Sequence, residues 1–269
     1  MRLAIDHRTH YRFSEPQARL IELLRLTPAD TQDQTVVAWR IDVDCDARLR
    51  GARDGFGNLT NMLYADGPIE DIEIVVTGEV LTSDSGGLVR GTTEPFPPSL
   101  FLRGTERTSA GGSLAAFAAS MTGGDTLARI EALNAALHAR FGTVQSSTDA
   151  GLSADEAFTA TTAAPRDLAQ MFVAAARSLQ VPARYVSGYS TTGTEDGAQA
   201  AAHAWGEVCV GDGWMAFDPS HGCRIDENYV RVAVALDATG AAPIVGARIG
   251  AGDEALDVDL HVDRLGGEE

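Results

Sequence analysis

Two side chains in this sequence have the types and the spacing for proton transfer, His203 and Asp218. A general base needs an imidazole held in one tautomer by a carboxylate. His203 stands at the start of one alternating segment, 202–210, and Asp218 at the end of the next, 213–219. Asp212-Gly213 between them is a hairpin signal. An antiparallel hairpin returns the end of its second strand toward the start of its first. Register counting sets Asp218 nearer Gly206 than His203, so the pair needs a bulge or a diagonal reach. On residue type alone, a plain histidine is the commoner reading.

A nucleophile is harder to find. The cysteines are Cys45, Cys209 and Cys223. Cys209 shares a strand and a face with His203, but six residues at about 3.3 Å each put it roughly 20 Å away. Cys223 lies five residues past Asp218, beside Gly222. It can fold back toward the pair, although a bystander thiol is its plain reading. Thr161 and Thr162 offer hydroxyls just before a helix. An odd number of widely spaced cysteines argues against a disulfide framework. With no CxxC and no His-rich cluster, neither a metal site nor a cofactor is expected. His10 and His221 are expected to be solvent-exposed.

The elements that must position these residues give an α+β chain. Segments 2–14, 35–47, 58–65 and 71–83 alternate as strands, with one shift near Val36–Ala38 of the kind a bulge makes. They predict an antiparallel sandwich-like N-terminal β domain over 1–95. A Gly/Ser/Thr/Pro-rich stretch, 84–112, marks the boundary, with 96–112 as linker and Phe96 to Leu102 docking on a neighbour. The core domain, 113–269, opens with helices. Asp125 caps one, Ser153 to Glu156 is a capping box, and Pro165 starts a third that stops before Pro182. Strands 182–190, 202–210, 213–219, 228–236 and 256–262 then build an antiparallel sheet packed on them.

PARYVSGY at 182–189, HAWGEV at 203–208, Gly213-Trp214 and FDPS at 217–220 follow one another in this region. Together they resemble the core of the bacterial transglutaminase-like proteins, a branch of the papain-like cysteine hydrolases. HRTHYRF at 7–13, LRLTP at 24–28 and DGFGN at 54–58 are similar to the β region that precedes that core. The resemblance implies that His203 and Asp218 hold the catalytic His and Asp positions. Asp167, Arg184, Trp205 and Trp214 are candidate binding residues around the cleft; the plain reading of Arg184 is a structural ion pair or hydrogen bonds to carbonyls, and that of the two tryptophans is packing around the site. The family places Gly-x-Cys-x-Asp-x-Ala-His at the start of the helix before PARYVSGY. Here that segment runs from Ala163 to Gln170. It keeps Asp167 and Ala169 and puts Pro165 where the cysteine belongs. Proline supplies no thiol and no backbone N–H. In the family that N–H resembles an oxyanion-hole donor, and losing one such donor costs about 10²–10³ in rate.

The expected function is therefore a degenerate transglutaminase-like protein that binds a peptide or protein in its cleft without acyl transfer. The alternative is an active amidase or acyltransferase using His203 and Asp218 with a recruited nucleophile such as Cys223. The 269 residues carry a net charge of −17, which disfavours nucleic acid and anionic membranes as partners. No apolar run reaches the roughly 20 residues that span a membrane. The first residues, MRLAIDHRTHYRF, lack the apolar core of a signal peptide, so a cytoplasmic location is expected. All 21 basic residues are arginine, leaving no lysine side chain to act as an internal amine acceptor.

Overall fold

The computed structural model describes residues 1–143, 152–192 and 202–266. Two strands dominate its first half, β1 (Arg2–Thr27) and β4 (Leu59–Thr82). They pair antiparallel along almost their whole length, with register breaks between Arg12 and Arg19. Gly67 sits at this break, where a Cβ would meet the Gln17 carbonyl oxygen at 2.0 Å. Each long strand thus serves two leaves. β2 (Gln34–Val43) pairs with one half of β4, and β3 (Ala47–Arg53) with the other. Leu20, Leu24 and Leu63 of one leaf meet Ile72, Ile74 and Val76 of the other in one apolar cluster. The register of β2 shifts between Val36 and Ala38, where the alternation in the sequence breaks.

The stretch 84–112 is a strap fixed to the second body. β5 (Leu88–Val89) lies within it, a 3₁₀ turn spans Pro98–Leu102, and Phe101 is buried against Trp214. Phe96, at the start of the expected docking segment, stays exposed and touches Phe56. Two arginines hold the strap. Arg177 donates to the Phe101 carbonyl and the Thr108 hydroxyl, and Arg184 donates to both carboxylate oxygens of Glu94.

Beyond the strap come α1 (Gly112–Ala119), α2 (Thr126–Arg140), β6 (Gly142–Thr143), α3 (Ala154–Phe158) and β7 (Thr162–Ala163). Asp125 caps α2 through the Ala128 N–H, and Ser153 and Glu156 form a reciprocal capping box on α3. The central helix, α4 (Pro165–Ser178), is buried on nearly every side. That is why its sequence reads apolar beyond a single stripe. α4 packs on β8 (Ala183–Ser190) and β9 (Ala202–Val210), which continue through β10 (Gly213–Asp218) to β11 (Cys223–Arg224). β12 (Tyr229–Ala235) closes the other edge of this sheet against β8. The loop between β9 and β10 is Gly211-Asp212, and Gly211, not Gly213, carries its positive φ of 63°.

The chain ends back where it began. β13 (Ile244–Ile249) and β14 (Glu254–Arg264) pair with the two halves of β1. The expected core unit, 113–269, is corrected accordingly: from residue 244 the strands complete the first sheet. The two bodies are also joined at β12. The Gln34 side chain accepts from Arg231 N–H and donates to its carbonyl, and the Asn58 side chain does the same for Val234. Two buried amides thus satisfy an edge that would otherwise need another strand.

Candidate functional site

Arg177 in the last turn of α4 donates to the carbonyl of Ala183, the first residue of β8, so β8 starts at the C-terminal end of α4 and runs back along it. β9 pairs with β8 from Ala183↔Val208 to Tyr189↔Ala202, which brings His203 to the end of β8. β10 then pairs Phe217 with Gly206 without a bulge. Asp218 therefore lies two positions from His203 on one face, and the pair meets by the diagonal reach. His203 Nε2 donates to Asp218 Oδ2 at 2.6 Å. Both side chains are buried.

Asp218 is oriented by its own turn. Its Oδ1 accepts the Ser220 N–H at 2.8 Å and the Ser220 hydroxyl at 2.6 Å, an Asx-turn that the sequence Asp-Pro-Ser favours. Oδ2 additionally accepts from the Tyr229 hydroxyl at 2.8 Å and from His221 Nδ1 at 2.7 Å. Burial pushes the Asp218 carboxyl up, but the hydrogen bonds from His203 and His221 outweigh it and hold its pKa far below the usual carboxylate range. His221 is raised by the same contact. The expectation of an exposed, partnerless His221 is thus corrected: the turn after Asp218 folds its ring onto the carboxylate. Ser220 and Tyr229 were also missed. His221 and Ser220 lie within three residues of Asp218 in the sequence, whereas Tyr229 arrives from the opposite edge of the sheet.

The side chains expected around the cleft separate into three places. Trp205 packs against His203 and edge-on to Tyr229, and its buried indole N–H has no hydrogen-bond partner. Trp214 and Arg184 lie instead under the strap, with the guanidinium 3.9 Å above the indole ring. Arg184 also donates to the buried Glu207, whose other oxygen accepts from Arg231. Burial pushes the Glu207 carboxyl up, yet the two guanidiniums bring it down to about 2. Asp167 is buried in the first turn of α4 and paired with Arg166.

Pro165 is the first residue of α4, after Ala164, which makes no side-chain cap. Gln170 stands one turn further on with its amide oxygen buried and unpartnered. Cys223 faces Asp218 across the β10–β11 ladder, and its thiol meets the Tyr229 hydroxyl at 3.7 Å. Burial pushes that thiol up, away from the thiolate. Cys209 is raised in the same way and lies at the far end of β9. Thr161 and Thr162 are exposed.

Residues 3–81 match the family model of the bacterial transglutaminase-like N-terminal region, and residues 115–219 match that of the transglutaminase-like superfamily. The chain belongs to the transglutaminase-like superfamily. The uncharacterized protein ML0607 of Mycobacterium leprae is 24% identical, over 98% of this chain and 99% of its own length. The uncharacterized protein Rv2569c of Mycobacterium tuberculosis is 25% identical, over 97% and 92%. A crystal structure from Cytophaga hutchinsonii, described as a "putative cysteine protease", shares the fold with a TM-score of 0.80. It is 18% identical and covers 100% of this chain and 92% of that one. Among the described residues, no helix is long and apolar enough to cross a membrane.

Proposed function

We propose that this transglutaminase-like protein binds a peptide or protein segment beside His203 and Asp218, in the cytoplasm, without transferring an acyl group. The observation that carries the reading is Pro165 at the first position of α4. A superfamily nucleophile at that place gains from the helix dipole, which lowers a thiol's pKa. Proline removes the thiol and the N–H together. Among the described residues, neither the remaining thiol near the pair nor Thr161 and Thr162 is set up to take over the role. Cys223 has a raised thiol, and its hydrogen bond goes to Tyr229 rather than to the imidazole. His203 already commits Nε2 to Asp218, so a nucleophile would have to approach Nδ1. The charge of −17 supports a partner that is neither nucleic acid nor anionic lipid.

The test is alkylation of the native protein with a thiol reagent at pH 6, mapped by mass spectrometry. Slow, even reaction of Cys45, Cys209 and Cys223 is expected, with no incorporation of a labelled amine into glutamine peptides. Fast modification of Cys223 that disappears in His203→Ala would instead establish a recruited nucleophile and overturn the binding-only reading.

A further inference from the structure

Three donors converge on one oxygen of Asp218. His203 Nε2 stands at 2.6 Å, His221 Nδ1 at 2.7 Å and the Tyr229 hydroxyl at 2.8 Å from Oδ2. A carboxylate oxygen offers about two lone-pair sites. The other oxygen is occupied by the Ser220 N–H and hydroxyl, and the nearest alternative acceptor for the His221 ring is the Ser220 hydroxyl oxygen, farther off at 3.2 Å. The two ring nitrogens and the carboxylate oxygen all lie within 4.8 Å of one another. Among the described residues no arginine pairs with Asp218, although its side chain is wholly buried.

From this convergence we infer that His203, Asp218 and His221 form a binding site for a single divalent transition-metal ion of the zinc type. The inference does not rest on the peptide-binding reading. An ion at the convergence point replaces both N–H protons, turns each imidazole lone pair inward and gives the buried carboxylate a full counter-charge. Two imidazoles and one carboxylate form a borderline N₂O set, suited to Zn²⁺ and its first-row neighbours rather than to Ca²⁺ or Mg²⁺. Metal–ligand bonds of about 2.0–2.2 Å put tetrahedral ligand atoms about 3.3 Å apart. The present contacts would open by about 0.6 Å, within the reach of side-chain torsions. The Ser220 hydrogen bonds already provide the outer support that ligating carboxylates normally have. The His221 side chain is 28% exposed and gives the ion a way in. Three protein ligands leave a fourth position for water or for a group on a bound partner.

The test uses the full chain after treatment with a chelator. Zn²⁺ is added in equilibrium dialysis, and Co²⁺ is followed by its visible absorption. One tightly held equivalent of Zn²⁺ is expected, with an intense tetrahedral-type Co²⁺ band and a melting temperature raised by Zn²⁺. His221→Gln and His203→Gln should each weaken binding about 100-fold or more, whereas His261→Gln on the exposed β14 should not. His221→Gln alters the more exposed ring, and its metal-free melting curve checks that it is folded. Should it fail to fold, His203→Gln carries the same comparison. Absence of stoichiometric binding, or equal affinity in wild type and the folded His→Gln variant, would overturn the site and leave a hydrogen-bonded cluster only.

Discussion

Glu207 on β9 and Asp218 on β10 are two wholly buried carboxylates in one sheet, and they are held in opposite ways. Glu207 sits between the guanidiniums of Arg184 and Arg231, which stay charged at any pH the protein meets. Asp218 sits among two imidazoles, two hydroxyls and a backbone N–H, none of them a permanent cation. Full neutralisation by fixed charges is what a structural ion pair needs, because an uncompensated buried charge is costly. A buried anion held by titratable or neutral donors keeps charge in reserve for a proton, a cation or a ligand. The contrast therefore separates the part of the sheet that holds the fold from the part that can do chemistry.

The strongest way to break the comparison is Glu207→Gln. It leaves Arg184 and Arg231 buried with no carboxylate between them and should cost about 3–5 kcal/mol in chemical denaturation. A cost below about 1 kcal/mol would mean that the arginines are carried by other partners and that Glu207 is no more structural than Asp218.

A pH titration of stability sharpens the same distinction. Glu207 has its folded pKa lowered to about 2, so its contribution is complete above its unfolded value near 4.5 and is lost as pH falls toward 2. His7 is buried between the two bodies, shares a hydrogen bond with the Tyr189 hydroxyl, and is lowered by burial to about 4. In the unfolded chain its imidazole takes a proton near 6.5. Between 6.5 and 4 the unfolded state binds more protons, so stability falls as pH falls through that window, by about 3 kcal/mol at most. His7→Gln should flatten the upper window, and Glu207→Gln the lower. One merged transition unaffected by His7→Gln would show that the interface histidine is not the upper group.

The Glu207 side also depends on β12, which carries Arg231 and is clipped by Gln34 and Asn58. Asn58→Ala strands the Val234 N–H and carbonyl and should cost about 1–3 kcal/mol. It should raise amide exchange in β12 before it affects β9. Uniform exchange across the sheet would show that the clip does not hold that edge separately.

What the sequence disclosed follows the reach of each signal. The start of α4 at Pro165, the caps at Asp125 and Ser153, and the shift at Val36–Ala38 all rest on neighbours a few residues apart. The strands of β8, β9 and β10 were legible because alternation is local, and their order followed from the family resemblance. The continuity of β1 was not, because the break between Arg12 and Arg19 interrupts the alternation midway. β13 and β14 were assigned to the wrong body because their partner lies more than 200 residues upstream in β1. Within the site, Asp218 and His203 were visible as types and positions. The ring of His221 was not, since only the turn at Pro219 and Ser220 decides that it folds onto the carboxylate. Trp214 and Arg184 went to the strap because Glu94 and Phe101, distant in sequence, cover that part of the sheet.

The smallest expected effect bears on the Asp218 end directly. Cys223→Ser replaces a half-buried thiol whose partner is the Tyr229 hydroxyl, and a serine hydroxyl can serve Tyr229 equally well. Its cost should stay within about 0.5 kcal/mol, as for other substitutions that leave no buried group unpaired. If Asp218 draws its reserve of charge from the histidines alone, Zn²⁺ affinity should be unchanged in this variant, because Cys223 is outside the set of converging ligand atoms. A large loss of stability or of metal affinity would move Cys223 from the margin of the cluster into it. The contrast with Glu207 would then have to be redrawn around a thiol as well as two imidazoles.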